Sequence, residues 1–163
     1  MKKGLWILFA SLSILIGLYP LLYLFLDKQF GLLSSKSDAL LQSTLYNIMF
    51  FNHVFWGGLA LLIGWTQFIA PLRNKHLRWH RSIGKVYVGA ALMSALASLY
   101  IALYATGGFI PSMGFTALGI IWFSSTLMAY RSIRGHRIVV HQKMMIYSYA
   151  ACFAAVTLRI WLP

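Results

Sequence analysis

The chain contains no glutamate and only two aspartates, Asp27 and Asp38, in 163 residues. That scarcity excludes a good deal of chemistry. Both aspartates fall in one loop, so no buried carboxylate pair is available for hydrolysis, and the usual acidic relay of proton-coupled transport is not expected within an apolar segment. Charged residues make up 10% of the sequence, against roughly a quarter in an average soluble domain, too few to cover a water-facing surface. One cysteine, Cys152, leaves no partner for an internal disulfide. Phosphate-binding loops, a zinc-protease His-Glu pair and a G-x-S-x-G elbow are also missing.

What is present is apolar sequence, 60% of the chain, in blocks of about 20 residues, the length that crosses a bilayer. The blocks predict an all-α integral membrane bundle of about five transmembrane helices: Leu5 to Leu26, Ile48 to Pro71, Lys85 to Thr106, Ser112 to Tyr130 and Met144 to Leu162. The first exceeds a signal-peptide core and has no small-x-small site before Asp27, so it reads as an uncleaved span, with Pro20 a candidate kink. A polar loop from Asp27 to Asn47 holds both acids, and Ser37 to Leu45 fits a short interfacial helix. The expected layout is a single domain over 1–163, with 1–47 supplying the first span and an extracytoplasmic loop and 48–163 a four-helix core.

Fourteen Lys and Arg give a formal charge of +12. In a soluble protein this would suggest nucleic acid; here the cations sit in short loops between spans, and no nucleic-acid partner is expected. With the N-terminus in the cytoplasm, Lys2, Lys3, five cations of the first basic loop and four of the second lie inside, eleven of fourteen. The positive-inside rule therefore predicts N-in topology in a bacterial inner membrane, with the lipid bilayer as the first partner.

Polar residues recur at helical spacing on three spans. His53, Gly57, Ala60, Gly64 and Gln67 form one stripe; His80, Gly84, Tyr87, Ala91, Ser94 and Ser98 a second; His141, Met145, Ser148, Cys152, Ala155 and Arg159 a third. Three such stripes suggest helices converging on a common interior. Trp122 and Ser125 are further wall candidates from the fourth span. Gln67, His80 and His141 cluster near the inner side, His53 and Arg159 near the outer.

Two readings follow. In the first, the interior holds a flat or elongated apolar small molecule: a b-type haem ligated by His80 and His141, with Arg73 and Arg81 as supporting charges, or a quinone bonded by a histidine and Gln67. His53 and Arg159 would form the outer polar end. Zinc or copper would need more ligands, with His76 and His136 in the loops as the remaining candidates. In the second, the small residues serve close helix packing, the histidines sit in the wet headgroup layer, and the protein is non-enzymatic: an assembly factor, a subunit of a larger membrane complex or homo-oligomer, or a lipid or small-molecule carrier.

The pattern His53-x3-Gly57…Gly64-x2-Gln67-Phe68…Arg73…His80-Arg81-x2-Gly84-x2-Tyr87 is joined by Gly114-Phe115, Trp122, His141-x2-Met144-x3-Ser148-Tyr149-Ala150 and Ala154-Ala155-Val156-Thr157-Leu158-Arg159. Over His53 to Pro163 it resembles a family of small bacterial predicted membrane proteins, the domain of unknown function twenty-three-zero-six. The resemblance implies the multi-span fold and marks His53, Gln67, Arg73, His80, Arg81, His141 and Arg159 as motif positions; it implies no activity. Similarity to four-helix b-type cytochromes is architectural only, since those carry two histidine pairs and the outer side here offers His53 alone.

Overall fold

The computed structural model describes residues 3–25 and 31–161. Lys2, Leu26, Asp27, Leu162 and Pro163, which figure in the sequence reading, lie outside the described residues. Among those described, regular structure is helical throughout, without a strand. Five long helices carry the fold: α1 (Lys3–Leu18), α2 (Thr44–Gly64), α3 (Leu77–Ala102), α4 (Phe109–Arg134) and α5 (Ile138–Trp161). With the 3₁₀ turns that extend α1 and α2, each is long and apolar enough to cross a membrane.

Local chemistry sets the breaks. Pro20 has no N–H for the α-helical bond, and α1 passes there into a 3₁₀ turn over Tyr19–Leu21 and then the short helix Leu22–Phe25. The short helix expected between Ser37 and Leu45 forms over a smaller span, Asp38–Leu41. Ser43 caps α2, its hydroxyl accepting from the Tyr46 amide, so α2 starts at Thr44, four residues before its apolar block. Gly107 and Gly108, both at positive φ, turn the chain into α4. At the basic end α3, α4 and α5 also extend beyond their apolar blocks, so His80 and His141 sit in first helical turns. Hydropathy marks the lipid-embedded length, whereas a helix satisfies its own backbone and can continue into the headgroup layer.

The helices pack in chain order: α2 along α3, α3 along α4, α4 along α5, with α1 lying chiefly on α2. Direct contact between α2 and α5 is sparse; α1 covers that seam with Phe9, whose ring stacks on Phe153 and meets Tyr149 edge-on. Gly17 of α1 faces Leu62, and Gly58 of α2 faces Pro20 and the Gly17 carbonyl so closely that a Cβ would collide at 2.5–2.8 Å. The outer faces are apolar and open, as at Ile7 (63% exposed), Phe55 (60%) and Ile160 (64%). Lipid is the natural solvent for such faces, since this composition leaves no water-facing alternative.

Candidate functional site

The three stripes do face inward, but the space between them is filled. Gly64 lies against two tyrosine rings: a Cβ there would sit 2.4 Å from Tyr149 and 2.7 Å from Tyr87. Gly57 faces the Ser94 hydroxyl and the Trp122 ring, and Gly119 faces Ser98 and Leu99. The small residues of the middle third are therefore matched to aromatic and hydroxyl side chains from opposing helices. As the walls of a continuous ligand channel they fail, because Tyr87, Tyr149 and Trp122 occupy the volume.

Two hydroxyl systems tie this middle together. Thr126 donates to the Trp122 carbonyl at 2.7 Å, so it accepts from Ser148 (2.6 Å), which in turn accepts from Tyr87 (2.8 Å). The chain runs Tyr87, Ser148, Thr126, carbonyl, and joins α3, α5 and α4. Separately, the Tyr149 hydroxyl donates to Ser13 at 2.9 Å and the Leu61 carbonyl at 3.0 Å, while Ser13 donates to Phe9 O. This joins α5, α1 and α2. Both systems terminate on backbone carbonyls, which cannot pass a proton on, so they fasten helices and do not form a relay.

The ends of the bundle differ. At the basic end, the His141 Nδ1–H donates to the Ala129 carbonyl at 2.9 Å, leaving Nε2 as the lone-pair nitrogen. Position 141 precedes the apolar run of α5, and the α4–α5 turn, with His136 at φ +58°, brings it back against α4. His80, in the first turn of α3, has Arg73, His141 and Arg81 as its charged neighbours. Its Nδ1 is buried without a hydrogen-bond partner. Gln67, in the 3₁₀ turn Trp65–Phe68 that closes α2, packs its amide over Gly84 of α3. The structure thus gathers His80, His141, Arg73 and Arg81 as the sequence suggests, with Gln67 one turn deeper along α3. His76 and His136 remain exposed in the turns, and among the described residues no three metal-ligating side chains come together.

At the opposite end, His53 Nδ1 faces the Ser94 carbonyl (3.1 Å) and hydroxyl (3.0 Å), while the Ser94 hydroxyl donates to the His53 carbonyl at 2.8 Å. This reciprocal clasp fixes the ring edge-on to Trp122 and leaves Nε2 uncommitted. Arg159 acts on His53 electrostatically and lays its guanidinium over Tyr19, 4.2 Å from the ring centroid. Above them the segment Gly31–Ser35 is strapped to the α3–α4 turn. Lys36 donates to the Tyr104 carbonyl and to Thr106 Oγ1, and Ser35 also meets Thr106. Burial pushes the Lys36 ammonium below its ordinary pKa. The Lys36 strap escaped sequence reading, since a lone lysine in a polar loop carries no signal of its target. Tyr149 stands in the family pattern but drew no role from the sequence, because only its neighbour Ser148 belongs to the stripe.

Fold and composition define a helical integral membrane protein whose ionisable side chains gather at two depths. Residues 50–163, which contain α3 to α5 and most of α2, match the family described as predicted membrane protein (DUF2306), and the chain belongs to that family. No curated protein and no solved structure matches it.

Proposed function

We propose that this chain is a membrane redox protein whose basic end would hold a b-type haem through His80 and His141. The observation that carries this reading is the orientation of His141: its Nδ1–H is committed to a backbone carbonyl, the arrangement that fixes tautomer and ring direction in metal-binding histidines. His80 stands beside it on a different helix. The donor set fits haem better than a bare metal ion, because two imidazoles would suffice for an iron that a porphyrin already binds, whereas zinc needs three or four protein ligands. Arg73 and Arg81 supply the charge that carboxylate side arms require. When bound, such a group exchanges single electrons; the protein's part is to ligate and to set the field with nearby cations. By the positive-inside rule, this end faces the cytoplasm of a bacterial inner membrane.

One observation favours the other reading, in its form of an assembly factor or complex subunit: the glycines in the middle of the bundle are met by Tyr149, Tyr87, Ser94 and Trp122 from opposing helices, as close helix packing requires. The variants His80→Ala and His141→Ala separate the two. Expressed with ample haem, each loses the chromophore while His136→Ala keeps it. Equal retention by all three would remove the ligand assignment.

A further inference from the structure

The end opposite the basic loops holds a second polar site that the haem reading does not use. His53 lies nine residues into α2, about 14 Å along its axis from Thr44. α2 runs inward from that end and α5 runs outward to it. Side chains lean toward the N-terminus of their own helix, so His53 leans outward and Arg159, near the end of α5, leans inward. They converge, and Arg159 is a charged neighbour of His53. Arg159 is only part-exposed, and its guanidinium face is spent on Tyr19. Among the described residues none of its N–H donors meets a protein acceptor. Stacking uses the face of the cation and leaves its edge, the fork that matches two oxygens of a carboxylate or phosphate. Beside it, the His53 Nδ1–H donates to the Ser94 carbonyl, since the Ser94 hydroxyl spends its own proton on the His53 carbonyl; Nε2 of the neutral ring therefore carries a lone pair and becomes a donor to an anion only when the ring is protonated. An ionised group at this depth is costly without a counter-charge.

We propose that Arg159 and His53 bind the oxyanion head of an acidic amphiphile, a fatty-acid carboxylate or a phospholipid phosphate. The tail leaves between α1 and α5, which touch lightly. Arg159 pairs with the two oxygens, Tyr19 holds the guanidinium in plane, and His53 takes up a proton as the anion arrives and donates from Nε2 to the head on its other side. The site is independent of the basic end, and nothing at His80 or His141 contributes to it.

The test uses the full chain in zwitterionic phosphatidylcholine nanodiscs, titrated with two fluorescent probes, parinaric acid and a parinaroyl phosphatidylglycerol. Saturable binding of at least one is expected, with the acid alone indicating a carboxylate ligand and the phospholipid indicating a phosphate. Arg159→Gln should weaken binding at least about tenfold and Arg159→Lys, which keeps charge but loses the fork, somewhat less. His53→Gln, which leaves the cation in place, gives a smaller loss and carries the test if the Arg159 variants do not fold. His76→Ala, in the exposed turn at the basic end, should bind as the parent does. No saturable binding of either probe, or the parent's affinity in Arg159→Gln or, failing that variant, in His53→Gln, would overturn the site.

Discussion

In the middle of the bundle, Tyr87, Ser148, Thr126, Tyr149 and Ser13 donate along short chains that end on backbone carbonyls. At the two ends the polar groups are imidazoles and guanidinium ions, with His141 and His53 each anchored through Nδ1 and Arg159 stacked on a ring. The middle spends its hydrogen-bonding capacity internally; the ends keep part of theirs. Polarity in the hydrocarbon layer thus takes two forms in one molecule, hydroxyls closed on carbonyls at the centre and imidazole and guanidinium groups with uncommitted atoms at the margins. The difference comes from side-chain type: a hydroxyl has one proton to place and a nearby carbonyl takes it, while an imidazole fixed at one nitrogen still presents the other.

Perturbing the centre should change stability without touching ligand binding. The largest effect is expected of Gly64→Leu, which drives a branched side chain into Tyr149 and Tyr87. A loss of about 3 kcal/mol, the upper part of the range for overpacking, should show as a clearly lowered melting temperature in detergent. A variant as stable as the parent would mean that the rings do not fill this space. Tyr149→Phe comes next. It removes the donor that Ser13 and the Leu61 carbonyl accept, and should cost about 1 kcal/mol. The smallest effect belongs to the strap. Burial lowers the Lys36 pKa on folding, so the strap's contribution is complete above the unfolded value of 10.5 and diminishes as pH falls through the folded value. Stability measured upward from neutrality toward pH 10.5 should therefore rise slightly in the parent. Lys36→Met should lack that rise, and an identical pH profile in both would place the ammonium in water.

Legibility in the sequence follows the same division. The five spans could be read because twenty-residue apolar blocks have few alternatives, and the inward stripes because helical spacing is rigid. Helix starts such as Thr44 and Ile138 were missed by several residues, since Thr44 follows a serine cap in polar sequence and Ile138 is cut off from its apolar run by His141, Gln142 and Lys143. Gathering His80 with His141 was readable from depth alone. The filling of the Gly64 wall was not, because periodicity tells which way a glycine faces and not what stands opposite it. Likewise the clasp between His53 and Ser94 depends on the register of α2 against α3, which one sequence does not encode in any short motif.

A visible absorption spectrum of the parent protein, purified in mild detergent after expression with ample haem and recorded oxidised and then dithionite-reduced, tests the central claim most directly. The account predicts a Soret band with α and β bands that sharpen on reduction, as two imidazole ligands give. A flat visible spectrum would contradict the haem site and leave His80 and His141 as structural residues of the basic end.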